Sequence, residues 1–222
     1  MRHGTTIRLF GWAAVALVLA WCAVRILELI GPLTRPWTPA DLTRLDGPAV
    51  AWQLAGVSAD PRWCRAVLAA REVRFTPMPD RVTGPGCGFK GAVRLDAPVW
   101  SPRQPVVTCP LAVALDLWQH GALRPAAGDR RLTTIEHYGT YSCRAVAGSA
   151  RQSQHATANA IDIAGFGFAS GPPIRVRGPA DPFLDRVRGD ACKLFGTVLG
   201  PGYNAAHRDH YHLDMANRHY CP

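Results

Sequence analysis

The sequence predicts an α+β fold, an antiparallel sheet with helices packed to one side. Three observations predict it. Stretches with helical spacing and stretches with strand character are segregated along the chain rather than regularly alternating. Apolar residues recur at helical spacing in three separate segments. Two late segments, Ala160 to Phe168 and Asp209 to Met215, read as strands, the second by alternation, and close the core.

Taken in order, Asp60-Pro61 starts a helix over Arg62 to Glu72, with Trp63, Ala66, Val67 and Ala70 on one face. From Phe75 to Val107 repeated prolines and Gly84-Pro85-Gly86 cut the chain into short strands and loops. Pro110 suits a first helical turn, and Leu111 to Leu123 follows as a second helix. Arg131 to Cys143, rich in Thr, Ile and Tyr, reads as a strand. A third helix runs from Pro182 to Leu194, with Phe183, Leu184, Val187, Ala191 and Leu194 on one side.

With 222 residues, the chain has room for one ordinary domain and an appendage. The appendage is N-terminal. Met1, Arg2 and Arg8 precede an apolar run from Leu9 to Ile30, broken by Gly11, Arg25 and Glu28. A spanning helix needs roughly 20 apolar residues, and no small-residue cleavage site follows. The expectation is a transmembrane anchor over 1–31 with the basic end inside, a proline-rich spacer over 32–55 and a domain over 56–222 at the outer face of the inner membrane, in the periplasm. A cleaved signal and a soluble periplasmic domain is the alternative.

The net charge of +9 is spread as scattered arginines. It suits an acidic polymer or a membrane surface as neighbour. No helix-turn-helix, RNP or zinc-finger spacing points to nucleic acid, and the sequence is silent on oligomeric state. Cys22 lies in the anchor, which leaves Cys64, Cys87, Cys109, Cys143, Cys192 and Cys221 as an even set that an oxidising compartment would pair. Nearest-neighbour pairing gives Cys64 with Cys87, Cys109 with Cys143 and Cys192 with Cys221. No C-x-x-C spacing occurs.

Metal-capable side chains gather in two places, Ser153-Gln154-His155 through Asp162, and His207-Arg208-Asp209-His210-Tyr211-His212. A zinc in a catalytic site takes three nitrogen or oxygen ligands and leaves one position for water. In Ile161-Asp162-Ile163 the isoleucines face the core and Asp162 the opposite side, and His210 and His212 share one strand face. His155, Asp162 and His212 are the candidate zinc ligands. His207 and Asp214 read either as partners that orient a ligand imidazole or as exposed side chains. Tyr138, Tyr141 and Tyr203 read as core or rim aromatics, and His120, His137 and His219 as ordinary surface residues.

The segment Ser153-x-His155-x-x-Ala158-x-Ala160-x-Asp162 resembles the Ser-x-His-x-x-Gly-x-Ala-x-Asp motif of the zinc D-alanyl-D-alanine carboxypeptidase superfamily, which includes Hedgehog domains and murein endopeptidases. Ala158 stands where the motif has glycine. Together with Gly139 to Arg144 and His207 to Met215, the wording is more specifically similar to the bacterial extensin-like C-terminal domain family, from about Cys64 to Cys221. The resemblance implies a Hedgehog/DD-peptidase-like fold and zinc on His155, Asp162 and His212. Asp209 stands where superfamily peptidases carry the general-base glutamate, and His210 is the other candidate base. The resemblance also places Arg144 in the cleft, to anchor a substrate carboxylate or an oxyanion, with Ser153 hydrogen-bonding nearby. The function so implied is zinc-dependent hydrolysis of peptidoglycan or another cell-wall peptide. The alternative is a non-catalytic zinc module for wall binding or signalling.

Overall fold

The computed structural model describes Trp12, residues 15–26, Leu54, Gly56, residues 60–177 and residues 180–222. The chain divides into two compact units, Met1–Ala40 and Asp41–Pro222. In the first, residues 15–26 are helical, with Leu17, Leu19 and Trp21 well exposed. No helix among the described residues is long and apolar enough to cross a membrane, so the spanning helix expected from Leu9 to Ile30 is not found there. Both ends of that run and nearly all of the proline-rich spacer lie outside the described residues.

The second unit is α+β. Helix α1 (Pro61–Ala70) is capped by the Asp60 carboxylate, which accepts from the Arg62 N–H, with proline in the first turn where its missing N–H costs nothing. A small sheet follows, with β1 (Phe75–Pro77), β4 (Ala92–Leu95) and β6 (Val106–Thr108) in the order β1-β4-β6, and a hairpin of β2 (Arg81–Gly84) with β3 (Cys87–Phe89). Helix α2 (Cys109–Trp118) is buried almost all round and continues through a π-helical turn, Gln119–Leu123, into α3 (Arg124–Ala127).

The main sheet joins β5 (Trp100–Ser101), β7 (Leu132–Gly139), β8 (Ala160–Phe168), β10 (Thr197–Leu199) and β11 (Tyr211–Asp214) in the order β10-β11-β8-β7-β5, with β9 (Ile174–Arg175) on β8. Between β9 and β10 lies α4 (Pro182–Leu194). Two expectations need correction. The strands form three separate sheets, and β5 runs parallel to β7, so the main sheet is not wholly antiparallel.

Helices α2 and α4 cover one face of the main sheet. The Trp118 indole N–H donates to the Val187 carbonyl at 2.8 Å, and its ring meets Phe166 of β8 at 5.9 Å. Tyr211 donates to the Leu184 carbonyl at 3.3 Å, so odd positions of β11 face α4. Their register partners Ile161 and Ile163 are wholly buried on the same side. Phe166, of the other parity, also packs on α4, 5.2 Å from Phe183. A bulge explains this. Ile163 to Gly165 spans two steps on β8, opposite one step from His137 to Glu136 on β7. The extra residue reverses the alternation, so Asp162 faces away from the helices while Phe166 faces them.

The disulfides are Cys64–Cys109, Cys87–Cys143 and Cys192–Cys221. Two of the three nearest-neighbour pairings are therefore overturned. The bonds follow spatial rather than sequence neighbours. Cys64 lies within α1 and Cys109 at the start of α2, both buried. The hairpin carrying Cys87 sits against the segment before His155, where Gln152 donates to the Pro85 carbonyl.

Candidate metal centre

Each of the three candidate ligands is held by a different local device. His155 lies in a single turn, Gln154–Thr157, whose first N–H groups would otherwise be unpartnered. Ser153 caps it: its hydroxyl accepts from the His155 N–H at 3.2 Å. The hydroxyl is thus occupied in holding the turn. The turn ends at Ala158, in the left-handed region at φ 54°. Glycine adopts that conformation without cost, which accounts for glycine at this place in the motif. Here the alanine methyl is buried against Phe89 and Ala92.

Asp162 and His212 sit directly opposite one another on antiparallel strands β8 and β11. Directly paired side chains on one face lie about 5 Å apart at Cβ, within reach of a shared ion. His155 Nε2 is 3.2 Å from Asp162 Oδ1 and 3.1 Å from His212 Nδ1, and His212 Nδ1 is 3.0 Å from that same oxygen. Tetrahedral ligands about 2 Å from zinc are roughly 3.3 Å apart, so the spacing fits the ion.

The outer partners fix the tautomers. His155 Nδ1 donates to the Thr140 carbonyl at 3.2 Å, and His212 Nε2 donates to Asp214 Oδ2 at 3.0 Å. Both inward nitrogens then carry lone pairs, 3.1 Å apart and against a carboxylate. Only a cation, a metal or a proton, reconciles three such groups, and the chemistry of the set fits a metal held by outer hydrogen bonds.

The protonation preferences follow. Burial disfavours the charged form of His212, but hydrogen bonds to Asp162 and Asp214 outweigh it and push the imidazole up to about 9. Burial raises Asp162, but hydrogen bonds and charge from His155 and His212 outweigh that and hold it well below the usual carboxylate range. Burial first, then the neighbouring His210 and His212, brings His207 down to about 4. Because the folded value of His212 is raised, its contribution to stability is complete below about pH 6.5 and is lost as pH rises through about 9. The metal-free protein is therefore expected to melt at a lower temperature at pH 9 than at pH 6.5 in calorimetry. A metal bound through His212 Nδ1 would displace that proton, so its affinity is expected to rise about tenfold per pH unit across this window. A flat affinity profile counts against a metal on His212.

Of the two candidate bases, His210 is the nearer. Its Nε2 lies 3.6 Å from Asp162 Oδ1, while its Nδ1 donates to Asp209 Oδ1 at 3.0 Å. Asp209 stands behind it and also accepts from Tyr138 at 3.4 Å. The His210 hydrogen bond, ahead of the other influences, holds Asp209 below the ordinary carboxylate value. Among the described residues, the donor atoms that lie within 4.8 Å of one another come from His155, Asp162 and His212, and His210 stands outside that set.

The centre opens on a cleft of about 500 Å³ lined by Arg144, Ser153, Asp162, His207, His210 and His212, among others. Arg144 is exposed and makes no ion pair among the described residues. His207 is fixed by Asn204, whose side-chain oxygen accepts from Nδ1 at 2.7 Å. Sequence reasoning missed the Thr140 carbonyl, which has no side-chain signal, and left Asp214 open. Its signal was the two-residue step from His212 on the same strand face. His137, read as a surface residue, is buried, with Nε2 on the Arg103 carbonyl at 2.9 Å. His120 is partly exposed and contacts the buried Asp116.

The family model described as extensin-like protein C-terminus matches residues 62–222. No curated protein and no solved structure matches the chain.

Proposed function

Because the chain belongs to the extensin-like protein C-terminus family and carries this metal-ready cluster, we propose that it is a zinc-dependent peptidase acting on peptidoglycan or another cell-wall peptide. The observation that carries the reading is the cluster itself: three donor atoms at 3.0 to 3.2 Å, facing a cleft, with His210 close by but outside the ligand set. An ion held by His155, Asp162 and His212 alone would leave a position for water, which is the mark of a catalytic rather than a structural zinc.

Zinc held by His155, Asp162 and His212 would supply Lewis acidity toward the scissile carbonyl and would acidify a water toward about pH 7. His210 Nε2 accepts the proton and returns it to the leaving amine. Asp209 fixes the tautomer that leaves Nε2 free and steadies the imidazolium, and Tyr138 holds Asp209. Arg144 binds a substrate carboxylate or the developing oxyanion. Three disulfides suit an oxidising compartment, and the apolar run from Leu9 to Ile30 after Arg2 and Arg8 suits export with an anchor in the inner membrane.

The non-catalytic alternative, a zinc module for wall binding or signalling, requires His210 to close the fourth position. Digestion of purified sacculi separates the two. New muropeptides are expected with zinc, none with chelator, and none from the His210→Ala variant, which still binds zinc. Unaltered sacculi under every condition, with zinc bound, would leave the binding module.

A further inference from the structure

A second cavity, of about 420 Å³, shares no lining residue with the metal cleft. It lies beside the π-helical turn after α2, against the end of α1, the β4–β5 connection and the start of β7. Three features of its wall bear on a ligand.

Gln119 is 7% exposed and lines the cavity, yet its side-chain amide has no hydrogen-bond partner among the described residues. Its amide atoms are not sealed from solvent, so a ligand in the cavity can take over the hydrogen bonds that water otherwise makes. Gln119 also opens the widened turn, where the Arg124 N–H reaches back to the Gln119 carbonyl. Such single π turns are poorer than α-helix and recur at ligand sites. Glu72, also in the wall, adopts φ 57° just after α1, a place that favours glycine.

The charges in the wall are complementary to a zwitterion. Asp116 is already matched by Arg71 and His120. The Glu72 carboxylate and the Arg74 and Arg124 guanidiniums, all exposed, make no ion pair among the described residues, so the wall offers both signs of charge with a cationic excess. Leu95 of β4, Val99 and Trp100 of β5 add apolar surface to the same wall. The volume falls within the range of small-molecule sites.

We propose that this cavity binds a small zwitterion of the amino-acid or dipeptide class. Glu72 takes the ammonium, Arg124 the carboxylate, and the Gln119 amide pairs with the carboxylate or, in a dipeptide, with the peptide group. The apolar side chain rests on Leu95 and Trp100. The site is separate from the metal cleft, so it stands whether or not the chain cleaves peptides.

The test is a titration of the ¹⁵N-labelled full chain, zinc present, with alanyl-leucine and with its N-acetyl and C-amide derivatives. Saturable shifts are expected at the Gln119 side-chain amide and the Trp100 indole N–H. Gln119→Leu, Arg124→Gln and blocking of either terminus should each weaken binding about tenfold, a loss of one hydrogen-bonded or charged contact. Glu72→Gly should weaken binding while raising the melting temperature, because glycine removes the left-handed strain. That opposition separates a ligand contact from a merely structural role. If Gln119→Leu does not fold, the exposed Arg124→Gln carries the test. No saturable shift, shifts confined to His155 and His212, or equal binding by the blocked dipeptides would each overturn the proposal.

Discussion

Replacing Asp162 with alanine is expected to abolish zinc binding while the fold survives. Outer hydrogen-bond partners of a metal site commonly cost ten- to a hundredfold in affinity when removed, so loss of a ligand should exceed about a hundredfold. The geometry makes Asp162 the sharpest choice. Its Oδ1 lies within hydrogen-bond reach of both inward imidazole nitrogens, at 3.2 and 3.0 Å, and it is the only anion among the three candidate ligands. Without it two imidazole lone pairs face each other, and one of the two carboxylates that hold His212 in its raised state is gone. Metal content by mass spectrometry and a zinc titration measure the effect, with circular dichroism reporting the fold. Wild-type zinc affinity in this variant would remove the centre from consideration. Retained muropeptide release from it would remove the proposed mechanism.

Replacing both Cys64 and Cys109 with alanine is expected to cost about 4 kcal/mol of stability, the chain-entropy value for a loop of 45 residues. At roughly 2 to 4 °C per kcal/mol for a chain of this length, the melting temperature should fall by about 8 to 16 °C. Both sulfurs are buried between α1 and α2, so lost packing adds to the loss of the cross-link. The candidate metal cluster lies on β8, β11 and the turn before β8, so zinc affinity at a temperature where the variant is folded should be unchanged. A melting temperature within about 2 °C of wild type would mean that the denatured chain is already restricted along this loop.

Much of the candidate centre was legible because its spacing is local. Asp162 between Ile161 and Ile163, and His210 and His212 on one strand face, needed only period-two alternation, and β8 and α4 run where the pattern put them. Less legible were features whose cause lies across space. Disulfide partners depend on which segments fold against each other, so Cys64 skipped Cys87 for Cys109. The parallel β5–β7 pair needs a long crossover that strand propensity does not reveal. His137 looked like a surface residue because a polar side chain shows its partner, the Arg103 carbonyl, only after folding.

The two candidate bases show the same division. Asp209 and His210 are adjacent in sequence, and residue type could not rank them. Tertiary structure turns His210 Nε2 to within 3.6 Å of Asp162 and leaves Asp209 behind it, bonded to Nδ1 and to Tyr138. By itself the sequence determined which side chains can hold a metal, because ligand chemistry and strand alternation are local properties. Only the tertiary structure decided how they converge. The β8 bulge, the β8–β11 register and the Thr140 and Asp214 partners all arise from contacts between segments far apart in the chain, and these aim the lone pairs at one point.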